Sequence, residues 1–132
     1  MREALFRAKG KDDGKWVYGW YCRYPFGKWP LKDAIIPSEE AESGYHRFVE
    51  VDPSTVGQYT GLTDKNGKRI FEGDVVAYPD YGNLAVVWDD GTFQLMYADT
   101  FYDLLDCGTS GMCIIIGNIR DNPELLEVPD NG

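Results

Sequence analysis

The stretch that most constrains the fold is residues 56–76, where turn chemistry interrupts β-favouring residues twice in quick succession. Asn66-Gly67 lies between two such segments. Both residues tolerate positive φ at low cost, so a tight turn with a strand on each side is expected there. Glu72-Gly73-Asp74 supplies a second turn after Arg69-Ile70-Phe71, and Val75-Val76 opens a further strand. A β-rich fold built from hairpins follows from this spacing.

The rest of the chain extends the pattern. Residues 4–8 read as a short strand, 11–14 as a turn and 15–22 as the returning strand. Alternation puts Trp16, Tyr18, Trp20 and Cys22 on one face and Val17, Gly19 and Tyr21 on the other. Such an aromatic ladder more often forms one wall of a core; the alternative is a stacking platform for sugars or bases. Residues 24–30 hold two prolines and a glycine and form a loop that carries Trp29. A brief strand at 34–36 is stopped by Pro37. An acidic connection at 38–44 then leads to a strand at 45–51. Residues 52–55 begin a turn or one helical turn, since Pro53 fits the first helical position and Asp52 caps it.

Past Val76, strands at 83–88 and 92–97 are joined at Asp89-Asp90-Gly91. Asp99 is expected to cap a short helix over 100–107, with Phe101, Leu104 and Leu105 on one stripe and Gly108 ending it. Residues 111–119 form the last strand, and the unbroken run Met112-Cys113-Ile114-Ile115-Ile116 predicts burial on both faces. From Gly73 onward this order of elements has the shape of a small SH3-like barrel. The expectation is therefore a mainly β protein. N-terminal hairpins (1–51) pack on a C-terminal SH3-like barrel (52–128) that includes the central hairpin and one short helix, before a disordered tail (129–132).

A chain of 132 residues with 43% apolar side chains can bury a core without disulfide staples. Cys22, Cys107 and Cys113 are odd in number and lack metal-ligand spacing, so they read as buried free thiols instead of a zinc site completed by His46. There is no apolar run of about 18 residues to span a membrane, and the first residues alternate where a secretion signal would be apolar. The expected setting is cytoplasmic, with no membrane partner.

Charge is distributed unevenly. Residues 1–33 hold eight Lys and Arg against four Asp and Glu, whereas residues 34–132 hold five against eighteen. After Ile70 a single base, Arg120, faces twelve acids. Most of the chain would repel phosphate, so nucleic acid is not the expected partner.

Catalytic patterns are weak. Nucleophilic catalysis needs Ser or Cys beside a base, and His46, the chain's one histidine, stands isolated on a strand. The acidic pairs Glu72/Asp74, Asp89/Asp90 and Asp103/Asp106 sit at turns or on a helix surface, where solvated carboxylates are ordinary. A divalent-ion site from Asp74, Asp89 and Asp90 is the alternative reading of these acids. No glycine-rich phosphate loop is present. No cofactor is expected, and the chain is not expected to be an enzyme.

Residues 51–76 in their entirety, from Val51-Asp52-Pro53-Ser54-Thr55 to Glu72-Gly73-Asp74-Val75-Val76, resemble the signature of the YopX family of small phage- and prophage-encoded proteins. Phe6-Arg7-Ala8 followed by Lys15-Trp16-Val17-Tyr18-Gly19 is similar to that family's opening, and residues 116–127 are similar to its close. The resemblance implies a phage or prophage origin inside a bacterial host, and it supplies no catalytic residues. The functional expectation is an accessory protein that self-associates and binds another protein. Trp16, Tyr18, Trp20, Trp29, Asp89 and Asp90 are its candidate partner-binding residues. Mimicry of DNA by the acidic surface, to occupy a host nuclease or regulator, is the alternative. Direct nucleic-acid binding by the basic N-terminal hairpin ranks below both.

Overall fold

The computed structural model describes residues 6–38, 47–79, 81–89, 91–97, 100–103 and 112–126. The fold is mainly β, with antiparallel pairing throughout, and the chain divides into two compact units, Met1–Tyr59 and Thr60–Gly132.

The first unit begins with β1 (Phe6–Lys9) and β2 (Trp16–Tyr24), which pair antiparallel with Ala8 opposite Val17. Gly14 adopts φ 68° in the connecting turn, and its N–H donates to the Gly10 carbonyl at 2.9 Å. β2 pairs with β3 (Lys32–Pro37), and β3 pairs with the two-residue β4 (Val49–Glu50). The free side of β1 takes the start of β5 (Gly57–Thr63). Between β4 and β5, Asp52 caps the 3-10 turn Pro53–Thr55, as expected from Asp-Pro. Thr55 ties that turn to β1 by accepting from the Lys9 N–H at 2.8 Å.

The register decides which face of this sheet holds the core. Ala8, Ile35 and Val51 are fully buried, with Phe6, Val17, Val49 and Val56 packed on them. Ala8 lies opposite Val17, and Ile35 lies opposite Tyr21 and Val49, so this cluster occupies the face of Val17 and Tyr21. The ladder Trp16–Tyr18–Trp20–Cys22 is on the other face, which corrects the expectation that it walls this core. Its cross-strand neighbours give the reason: Arg7 lies opposite Tyr18 and Lys9 opposite Trp16. Both cations lie over the Trp16 ring, and Arg7 is itself 6% exposed, so this face is half-buried and carries charge where the other face is apolar. The strand expected at 45–51 is also shorter. Only Val49–Glu50 pair as a strand, and residues 45–46 lie outside the described residues.

In the second unit β5 runs on to Thr63 and forms a hairpin with β6 (Arg69–Phe71). The turn is longer than a two-residue reversal. Gly67 N–H donates to the Asp64 carbonyl at 3.0 Å, and Asp64 N–H donates to the Lys68 carbonyl at 2.8 Å. Gly67 takes φ 80° while Asn66 stays at negative φ, the form in which a left-handed glycine follows a type I turn. Gly73, at φ 95°, turns the chain into β7 (Asp74–Tyr78).

β7, β8 (Gly82–Asp89), β9 (Thr92–Tyr97) and β10 (Thr100–Asp103) follow as a meander. β11 (Ile114–Asn118) returns beside β7, giving the order β10-β9-β8-β7-β11. These five strands form one antiparallel sheet, in line with the mainly β fold expected from Gly73 onward. Ile70, Val76, Leu84, Val86, Leu95 and Cys113 form its fully buried core.

Two expectations fail here. Residues 100–103 form a strand, not the start of a helix: Thr100 pairs with Tyr97 and Asp103 with Gln94. A Thr-Phe-Tyr run suits a pleated neighbour, and pairing with β9 overrides the three-residue apolar stripe. Residues 104–107 of that expected helix lie outside the described residues. The run 112–116 is buried on one face only. Cys113 is fully buried and Ile115 packs on the core, while Met112, Ile114 and Ile116 are 48%, 37% and 39% exposed. β11 is one of the two edge strands of its sheet, and its core-facing side alone is covered. Among the described residues, no helix is long and apolar enough to cross a membrane.

Candidate functional site

Three of the expected binding residues meet on one face of the first unit. The Arg7 guanidinium sits 4.7 Å from the Trp16 ring centre and the Lys9 ammonium 5.4 Å from it. Tyr18 is 41% exposed and Trp20 is half-buried. Period-two alternation was enough to group these rings. The two cations among them were missed, although Arg7 and Lys9 alternate in the same way along β1.

Trp29 stands apart on the loop between β2 and β3 and is 76% exposed. Lys28 N–H donates to the Pro25 carbonyl at 3.0 Å across a tight turn. Phe26 occupies that turn at φ 47°, a left-handed conformation that an aromatic residue seldom adopts. Its ring meets Tyr24 edge-on with centroids 5.0 Å apart, and Tyr24 stacks on Phe48 at 4.0 Å. The rings hold a backbone turn that Phe26 alone would resist.

Asp89 lies in the second unit, exposed at the end of β8 and paired with Thr92; Asp90 is outside the described residues. Beside Asp89 is a residue the sequence reading passed over. Trp88 is 53% exposed and faces Phe93 across the hairpin, edge-on at 4.7 Å between ring centres. The signal was the alternation Leu84–Val86–Trp88, which carries the core face out to the end of the strand.

The titratable groups with shifted affinities are held in structural roles. The Tyr21 hydroxyl donates to Asp33, and that hydrogen bond, with burial, pushes the phenol above its ordinary range. Burial likewise raises the Cys22 thiol. Both shifts disfavour the anion that nucleophilic chemistry uses.

Asp64 goes the other way. Burial opposes its charge, yet N–H groups of Ile115, Lys68 and Asn66, together with the Lys68 ammonium, hold the carboxyl below its usual range. The Lys68 and Asn66 bonds, both 2.9 Å, close the β5–β6 turn, and the Ile115 bond, 3.0 Å, fastens it to β11. Asp74, 2% exposed, accepts from the Phe71 N–H at 2.7 Å and so closes the β6–β7 turn. Of the acids weighed for a divalent ion, Asp74 is thus buried in a turn and Asp89 is exposed at a strand end. No three His, Cys, Asp or Glu side chains come together as metal ligands among the described residues. His46 and Cys107 lie outside them.

Fold and site together define a small two-unit antiparallel β protein whose described candidate residues are three aromatics on β2, Trp29 on the loop after it and Asp89 at the end of β8. The chain belongs to the YopX family: the family model described as YopX protein matches residues 5–127. Its structure is similar to the crystal structure of protein EF1440 from Enterococcus faecalis. The likeness covers 93% of this chain and 97% of that one, with 25% identity and a TM-score of 0.56. No curated protein matches the chain.

Proposed function

We propose that this YopX-family chain is a non-enzymatic phage or prophage accessory protein that works in the bacterial cytoplasm by associating with itself and with another protein. The observation that carries the reading is the division of charge between the units. Residues 1–59 hold nine Lys and Arg and nine Asp and Glu, whereas residues 60–132 hold four against thirteen. The whole net charge of −9 therefore belongs to the second unit, while residues 1–33 of the first hold eight Lys and Arg against four Asp and Glu, with Lys11, Lys15, Arg23 and Lys28 exposed and Arg7 buried. Opposite patches on one molecule favour association between copies and give it a strong dependence on salt.

Light scattering tests this directly. At about 0.05 M salt the mass should be a multiple of the 15.0 kDa chain, falling toward one chain at about 0.5 M. A single-chain mass at both salts would sink the self-association reading.

The acidity of the second unit favours one other reading, DNA mimicry against a host nuclease or regulator. It predicts that duplex DNA displaces a captured host partner. A partner retained in excess duplex would remove it.

A further inference from the structure

The two most exposed tryptophans sit on oppositely charged elements of different units. Trp29 belongs to residues 23–32, which contain Arg23, Lys28 and Lys32 and no acid. This loop is pinned at both ends: the Arg23 guanidinium donates to the Leu31 carbonyl at 3.4 Å, and the Phe26 turn is clamped by Tyr24 and Phe48. An exposed aromatic on a pre-shaped loop loses little freedom when it docks, which is the property of a binding anchor. Trp88 and Phe93 form the counterpart. They continue the core face one pair beyond Val86 and Leu95 into solvent, beside the exposed Asp89. No Lys or Arg occurs between Gly82 and Tyr97. One element thus offers an indole among cations, and the other offers an indole and a phenyl ring beside a carboxylate. Cations over aromatic faces and against carboxylates are the contacts that unite such surfaces.

Building on the self-association reading above, we propose that copies of this chain join head to tail, the Trp29 loop of one copy docking on the Trp88–Asp89–Phe93 end of the β8–β9 hairpin of another. The two surfaces differ, so the contact is heterologous, and each added copy leaves one loop and one hairpin end free. Assembly then closes as a ring or continues as a filament.

The test uses two single variants at exposed positions, Trp29→Ala and Asp89→Lys, studied by sedimentation velocity at about 0.05 M salt. Each alone should weaken association about tenfold or more. Mixed one to one, they should recover a complex that stops at two chains. The intact hairpin end of Trp29→Ala receives the intact loop of Asp89→Lys, and the remaining pair of surfaces is blocked. Lys28→Glu combined with Asp89→Lys should restore part of the association that either reversal removes. If the unaltered chain assembles and both variants assemble equally well, the docking surfaces are wrong and self-association stands. Recovery that fails on mixing also overturns the head-to-tail contact. If the unaltered chain is a single chain at every salt, both the contact and the reading beneath it fall.

Discussion

The two units reach stability by different means. In the second, six side chains including Ile70, Leu84 and Leu95 form a fully buried cluster, and two buried carboxylates fasten the turns around it. In the first, the fully buried cluster is Ala8, Ile35 and Val51, two of them small or short, and neighbouring backbones come close. A methyl group built on Gly19 would lie 2.0 Å from the Ile36 carbonyl oxygen of β3. The second unit therefore depends on apolar volume, and the first on the closeness of its strands. The second should be most sensitive to side chains removed, the first to atoms added.

The largest effect tests the first half of that contrast. Leu95→Ala deletes a fully buried side chain facing Val86 and should destabilise the protein by about 4 kcal/mol through lost transfer energy and a residual cavity. Chemical denaturation measures the loss. Hydrogen exchange should locate it in β7, β8 and β9, leaving amides of β1 to β3 protected. Equal loss of protection in both units would erase the distinction between them.

Gly19→Ala tests the other half. Its new methyl group strikes backbone, which cannot rotate away as a side chain can, so the β2–β3 pairing must open. Overpacking of this kind should cost about 3 kcal/mol, with faster exchange concentrated in β2 and β3. An unchanged thermal midpoint would mean that the strands of the first unit have slack.

Asp64 probes what the second unit adds to its apolar volume. Asp64→Asn keeps the shape but removes the charge shared by three amide donors, and should cost about 2 kcal/mol at pH 7. The pH dependence has a definite sign. The folded protein holds the Asp64 carboxyl below its ordinary range, so its contribution is complete above the unfolded carboxylate range and disappears as pH falls through the folded value. Stability of the unaltered chain should thus fall on acidification more steeply than that of Asp64→Asn. Parallel pH profiles would assign the carboxylate no such role.

How much of this was readable beforehand depends on the range of the interactions concerned. The reversals at Gly67, Gly73 and Gly91 are local, and glycine's freedom at positive φ marked them in the sequence. Alternation likewise grouped Trp16, Tyr18 and Trp20. Which face of β2 met the core depended on Arg7 and Lys9 across the sheet, and only the register with β1 shows that. Residues 100–103 carried an apolar spacing compatible with one helical face, and a partner strand decided otherwise. The isoleucine run of β11 looked buried twice over because composition does not reveal that one face of a strand is left uncovered. Trp88 was hidden by its own regularity, since a core-facing alternation does not announce where the core ends.

The smallest effect concerns the first unit's own polar fastening. Asp52 Oδ1 accepts from the Ser54 N–H at 3.0 Å and from the Ser54 hydroxyl at 2.8 Å, while Thr55 Oγ1 donates to the Asp52 carbonyl at 2.7 Å. Lys9 N–H in turn donates to Thr55, and the Asp52 N–H donates to the Lys9 carbonyl at 2.9 Å, so side chain and backbone both tie the cap to β1. These groups are exposed, so water replaces much of what is lost when the carboxylate goes. Asp52→Ala should cost about 1 kcal/mol, against about 2 for the buried Asp64. Denaturation of the two variants side by side checks the ratio. An Asp52 loss as large as that of Asp64 would mean that the first unit leans on its polar turn as heavily as the second does, and the contrast between them would have to be redrawn around the caps.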